Sequence, residues 1–194
     1  MRYRTMKLSP TPRERRRRRT TLRLTTDAML VAIYVVLAVY LSYPGKEIQV
    51  NFSSLPILLC AYLFGTPDAV AVALCGSFAE QLLSPYGLSP TTPLWMLPVL
   101  LLALSAGLLY ALFRRIMGSW QAATVVSAVA AELIFTAANT AALYADAHIM
   151  GYAVSALMVI LPARLLNACV RMVSTTLLSL ALLPPLRAVL KYRR

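Results

Sequence analysis

The chain has 194 residues, of which 59% are hydrophobic and 13% charged, and its formal net charge is +12. Soluble domains carry roughly a quarter charged residues, so a chain this apolar cannot hide its surface in one soluble core; a water-soluble globular domain is excluded and lipid is the expected solvent. The charge is lopsided, because residues 1–23 hold ten Lys/Arg against one acid, including the run from Arg15 to Arg19.

That basic tail leads straight into a hydrophobic helix. A nucleic-acid arm is one reading of such a run. Arginines beside a membrane span, however, stay on the cytoplasmic side and touch anionic lipid headgroups. We read the tail as that kind of anchor, with the lipid bilayer and not nucleic acid as its partner. The first apolar stretch lacks a small-residue cleavage site and further apolar runs follow it, so a cleaved signal is not expected. Residues 1–23 are expected to be a poorly ordered cytoplasmic tail and residues 24–194 the membrane domain.

Hydrophobic runs and their breakers predict six helices. The first runs from about Thr25 to Leu41 and stops before Tyr43-Pro44-Gly45-Lys46-Glu47. The second, about Leu55 to Phe64, is short for a span, since about 20 residues cross the hydrocarbon; Val50 to Ser54 would complete the crossing. Gly65-Thr66-Pro67 is a tight break, and Asp68 is positioned to cap the third helix, about Asp68 to Leu83. A turn-rich loop, Ser84 to Pro90, follows. The fourth helix spans about Pro93 to Phe113 with a kink expected at Pro98, and the fifth about Ser119 to Tyr144. The sixth begins near Gly151 and ends near Leu183, with Pro162 expected to bend or interrupt it.

Charge orients these helices. With the N-terminus inside, the inner segments carry the basic tail, Arg114-Arg115, and Lys191, Arg193 and Arg194, whereas the outer loops hold Lys46 as their one basic residue. This positive-inside pattern needs an even number of spans. The expected fold is an all-α integral membrane protein, a compact six-helix transmembrane bundle with both termini cytoplasmic. Small residues such as Ala69, Ala73, Gly76, Ala123 and Ala131 crowd the third and fifth helices and permit close packing in lipid.

Polar residues inside spans are the functional candidates. Arg164, Asn167 and Arg171 are spaced to share one face of the sixth helix. Arginine is costly in a membrane and faces partners or a wet cavity. Glu132 and Asn139 lie nearly on one face of the fifth helix, and Glu80-Gln81 sits near the outer end of the third. Either Glu80 or Glu132 pairs internally with Arg164 or Arg171, or these groups line an outward-opening pocket where arginine meets a ligand carboxylate. Tyr43, Tyr86, Trp95, Tyr144 and Tyr152 cluster at the outer boundary, where they anchor at the interface or stack on a planar ligand. Ala28 and Ala32, four apart, make a flat patch for another helix, within this chain or outside it.

Enzyme signatures are missing from the sequence. His148 is the one histidine, and no HExxH, GxSxG or GxxxxGK[ST] motif occurs. Cys60, Cys75 and Cys169 are far apart in apolar runs and support neither a metal site nor a disulfide framework. No cofactor is expected, and a chain that moves a solute would draw its energy from a gradient or a partner.

Three stretches carry a family resemblance. Ile48-Gln-Val-Asn-Phe-Ser-Ser-Leu-Pro56-Ile-Leu-Leu, with Leu63-Phe64-Gly65-Thr-Pro67, resembles the second-helix region of the substrate-binding S components of energy-coupling-factor (ECF) vitamin transporters. Gln81-Leu-Leu-Ser-Pro85-Tyr86-Gly87 resembles the loop after their third helix. Leu161-Pro162-Ala-Arg164-Leu-Leu-Asn167-Ala168 resembles the Pro-x-Arg-x-x-Asn-Ala stretch of the folate-like group, and Ala28/Ala32 sits where the family has its Ala-x-x-x-Ala contact motif. The order is kept over about residues 25 to 186. Leu101 to Ser105 stands where the folate-like group has Ala-Leu-Arg-Gly, so no binding arginine is carried over there.

The resemblance implies a nonenzymatic subunit of a bacterial cell membrane importer. It would bind a small vitamin from outside and topple against a transmembrane coupling subunit driven by two ATPases. Ala28 and Ala32 would be the coupling contact. Gln81, Tyr86, Trp95, Asn139, Tyr144, Arg164, Asn167 and Arg171 would hold the substrate, with folate the first candidate and pantothenate the second. The alternative is a noncatalytic membrane scaffold in which the arginine face is a structural Arg/Glu network.

Overall fold

The computed structural model describes the backbone of residues 12–39, 52–84, 87–151 and 154–192, and the side chains of 20–39, 52–84, 87–151 and 161–190. The described residues form six α-helices and no strand: α1 (Pro12–Val39), α2 (Ser54–Leu63), α3 (Thr66–Leu83), α4 (Thr92–Met117), α5 (Trp120–Met150) and α6 (Val154–Tyr192). α1 begins at Pro12 rather than near Thr25, so the helical backbone runs through the arginine-rich segment. Proline suits a helix start, where its missing N–H would have had no partner.

Four stretches are long and apolar enough to cross a membrane: Thr20–Val39, Thr92–Met117, Trp120–Met150 and Leu161–Leu190. α3 is 18 residues, about 27 Å at 1.5 Å per residue, but Asp68, Glu80 and Gln81 make it more polar than these four. α2 has 10 residues, about 15 Å, roughly half the hydrocarbon thickness.

The shortness of α2 follows from its place. Every residue from Ser54 to Tyr62 is buried, and the helix packs against α1, α3, α4 and α6. A helix apolar on every side belongs inside, and α2 is the hub of the bundle. Around it, α1 packs on α3, α3 on α4, α4 on α5 and α5 on α6. Met29, Ile33, Leu108, Leu112, Leu165 and Leu177 point away from the bundle, which suits lipid and would be a liability in water.

Small residues set the helix spacing. Ala69, Ala73, Ala103, Ala106, Ala123 and Ala131 are fully buried, as close packing in lipid requires. At Gly76 a Cβ would stand 2.7 Å from the Tyr34 ring, and at Gly107 one would meet Oγ1 of Thr66 and lie 2.9 Å from its Cα. α1 therefore nests on α3, and the start of α3 on α4, only because these two side chains are absent.

Gly65 makes the α2–α3 turn with φ 102° and ψ 179°, a region other residues essentially do not enter. It takes the N-cap place expected of Asp68. Asp68 lies instead in the first turn of α3, bonded to Arg23 of α1, which also donates to the Phe64 carbonyl at 3.4 Å. Of the bend or interruption expected at Pro162, the interruption does not occur: α6 is one helix of 39 residues through Pro162, and it continues past the expected end at Leu183 through Pro184 and Pro185, as α4 continues through Pro98. Proline leaves the carbonyl four residues earlier without its N–H, a loss membrane helices tolerate because neighbouring groups satisfy it. Arg23, Arg114, Arg115 and Arg187 lie at one end of the bundle, hereafter the basic end, where the rings of Tyr62 and Tyr110 meet at 4.7 Å.

Candidate functional site

The polar face of α6 meets α5 through one ion pair. Nε of Arg171 donates to Oε2 of Glu132 at 2.9 Å, and its terminal nitrogen donates to Oγ1 of Thr136 at 3.1 Å. The guanidinium also stands 4.5 Å from the centre of the Phe135 ring. The Thr175 hydroxyl lies 3.3 Å from the other Glu132 oxygen. Helix periodicity builds this arrangement: Glu132, Phe135 and Thr136 share one face of α5, and Arg171 and Thr175 are one turn apart on α6. The carboxylate is 1% exposed, and such a charge persists in a membrane interior only when paired and hydrogen-bonded.

Above this pair is a small cavity of about 20 Å³, lined by Tyr34 of α1, Ser53, Ser54 and Ile57 at the start of α2, Val99 and Leu102 of α4, Phe135 of α5 and Arg171 of α6. Its volume suits about one water-sized group. Ser54 is buried, and its hydroxyl oxygen has no hydrogen-bond partner among the described residues. The Tyr34 hydroxyl, at the cavity wall, donates to Oε2 of Glu80 at 2.6 Å. Two carboxylates, from α3 and α5, therefore flank the centre of the bundle, one held by a phenol and the other by a guanidinium.

The family model for the ECF transporter substrate-specific component matches residues 22–183. The chain belongs to this family. It is a substrate-specific membrane subunit of a transporter and not an enzyme, and membership implies a small-molecule substrate and association with an ECF module. Among curated proteins, none matches the chain.

The residues that sequence reading proposed for this S component fall in different surroundings. Of the two ion pairs among the described residues, one joins Arg171 to Glu132 and the other Arg23 to Asp68. Glu80 meets Tyr34 and not an arginine. Arg164, two turns along α6 from Arg171, is partly buried and has no carboxylate partner among the described residues; the like charge of Arg171 acts on it. Asn167, between them, has a buried Oδ1 with no hydrogen-bond partner among the described residues. Gln81, Trp95, Asn139 and Tyr144 are each partly buried, and of the described members of the proposed set Arg171 alone borders the cavity. Tyr86, like Tyr43 and Tyr152, lies outside the described residues. Ala28 and Ala32 are on the exposed face of α1, with Met29 and Ile33 between and beside them.

Sequence reading missed Tyr34, Ser53, Ser54, Val99, Leu102 and Phe135. A signal existed for some of these. Ser53-Ser54 is a polar doublet before an apolar run, and Tyr34 interrupts an otherwise aliphatic segment.

Proposed function

We propose that this S component captures a small anionic vitamin-like solute from the outer side of a bacterial cell membrane, with folate the first candidate and pantothenate the second. The observation that carries the reading is the unequal state of the two arginines on one face of α6. Arg171 is committed to Glu132, while Arg164 has no carboxylate partner among the described residues. A guanidinium that has a cost to bury and no internal counterion is suited to a ligand carboxylate, which it meets through paired N–H donors. The Oδ1 of Asn167, one turn from Arg164 and without a partner among the described residues, supplies an acceptor for the same ligand. Arg171 would form the pocket floor, and Gln81, Tyr86, Trp95, Asn139 and Tyr144 its walls and cap.

In this reading the chain makes six crossings, with both termini cytoplasmic. The gathering of Arg23, Arg114, Arg115 and Arg187 at one end supports that orientation by the positive-inside rule. Transport would need a transmembrane coupling subunit and two ATPases. The exposed Ala28/Ala32 face of α1 supports a contact with that coupling subunit. The Glu132–Arg171 pair is the structural network that a scaffold protein would also contain, and here it holds α5 to α6 below the pocket.

Ligand binding tests the reading. A vitamin panel applied to the purified chain should give one saturable ligand whose excess raises the melting temperature; at a hundredfold excess over Kd the stabilisation is about 2.7 kcal/mol. Absence of any saturable binding across folates, pantothenate and other anionic vitamins would end it.

A further inference from the structure

We propose that Tyr110, Arg114, Trp120 and Arg187 form a seat for the phosphate of an anionic phospholipid headgroup at the basic end of the bundle. Three helix ends converge there. α4 supplies Tyr110 and Arg114 in its last two turns, α5 begins at Trp120, and α6 brings Arg187. The Tyr110 oxygen accepts from Arg187 at 2.5 Å and from Arg114 at 3.1 Å, so two guanidinium groups share one neutral oxygen.

The phenol is a fixed post. Tyr110 is buried, its ring lies 4.7 Å from that of Tyr62, and the Tyr62 hydroxyl is held in turn by Ser127 at 3.3 Å. Arg187 stands 5.3 Å from the centre of the Trp120 ring, which holds one face of its guanidinium. Each guanidinium has five N–H donors, and the phenol takes one from each. Neither arginine has a carboxylate partner among the described residues, whereas Arg23, across the same end, is neutralised by Asp68. Two cations fixed on one oxygen repel unless an anion bridges them. The N-terminus of α5, where the Ser119 side chain caps the Ala122 N–H at 3.4 Å, adds partial positive charge at the same end of the bundle.

The apolar surroundings select a lipid. Met117, three residues on from Arg114 and on the same face of α4, is exposed beside the cationic pair, and Leu112 and Ile116 continue the exposed apolar surface on the far side of that helix, where acyl chains pack. Tryptophan at the edge of a span sits at headgroup depth, and basic clusters between membrane helices bind acidic headgroups. The seat is built from α4, α5 and α6, whereas the exposed alanines belong to α1, which packs on α2 and α3. Lipid could therefore occupy it while the α1 face is engaged.

The test is lipid retention by the purified full chain in neutral detergent, read by native mass spectrometry and by melting temperature. Phosphatidylglycerol, phosphatidylcholine and inorganic phosphate are titrated separately. Phosphatidylglycerol should be retained and stabilising, phosphatidylcholine should not, and millimolar inorganic phosphate should neither stabilise nor displace the bound lipid. Removing a basic residue near a membrane surface lowers acidic-lipid affinity about fivefold, so the Arg114→Gln/Arg187→Gln double variant should lose about 25-fold. Arg115→Gln, on the same turn but outside the seat, should keep most of the preference. Equal retention of the two lipids by the wild type would overturn the proposal, as would full displacement by inorganic phosphate. A double variant with undiminished selectivity would do the same. If that variant does not fold, the wild-type lipid comparison and the phosphate titration still decide.

Discussion

Arg171 and Glu132 face each other across the α5–α6 interface with 2.9 Å between Nε and Oε2, and the carboxylate has almost no contact with solvent. A buried pair of this kind is asymmetric in its consequences. Removing one partner leaves the other charge stranded, at about 3–5 kcal/mol, whereas replacing both with well-packed apolar or neutral groups is far less costly.

Glu132→Gln should therefore lower the melting temperature of the purified chain substantially, and adding Arg171→Met should restore part of the loss. The exposed pair at the other side of the bundle behaves differently. The side chain of Arg23 is 51% exposed, so Asp68→Asn should cost less than about 1 kcal/mol. Equal effects of Glu132→Gln and Asp68→Asn would show that the α5–α6 pair is not the buried, desolvated contact described.

Gly76 and Gly107 should tolerate no side chain. Overpacking a tight site costs about 1–3 kcal/mol. Gly107→Ala should be the worse of the two, because the added carbon meets the backbone of Thr66, while Gly76→Ala presses on the Tyr34 ring. Thermal unfolding of both variants checks this, and two unchanged midpoints would mean that the helices are farther apart than 2.7–2.9 Å contacts require.

Arg164→Gln should separate binding from folding. It removes no ion pair among the described residues, so the melting temperature without ligand should hardly move. Loss of a hydrogen bond to a charged group is worth about 1.5–3 kcal/mol, or about ten- to a hundredfold in Kd. Calorimetric titration with the ligand identified from the vitamin panel would show this, and an unaltered Kd would remove Arg164 from the site.

Ala28→Trp should leave ligand binding by the isolated chain intact, because Ala28 is exposed on α1. Uptake in cells should be lost, since a bulky ring prevents another helix from settling on the Ala28/Ala32 face. Normal uptake would exclude that face as the coupling contact.

The helical nature of the chain and the places of most helix breaks were legible from hydropathy, because in lipid the backbone must satisfy itself and helices are the ready solution. Three features were not. The helical start at Pro12 lies in a segment too polar to register as a span. Pro162, Pro184 and Pro185 looked like breaks because proline rules learned in water overstate its effect in membrane helices. The central place of α2 was hidden because an apolar stretch looks the same whether its neighbours are lipid or protein. The candidate site was read unevenly for a related reason. Spacing put Arg164, Asn167 and Arg171 on one face of α6, with Glu80 or Glu132 as the partner if one of its arginines paired internally. Spacing could not tell which glutamate would pair or which arginine it would take, nor that Tyr34 and Ser54, far away in sequence, would line a cavity with Arg171.

The position of α2 bears on how the protein is made. A helix of 10 residues that is dry on every side is too short to be accepted by the bilayer as a free-standing span. Its entry is tied to that of α3, with which it shares the Gly65 turn, so the two go in as one hairpin. Its final surroundings exist only once α4 and α6, synthesised later, have closed around it. The bundle is thus completed from the rim inward: insertion follows the order of synthesis, while the middle of the molecule is sealed last.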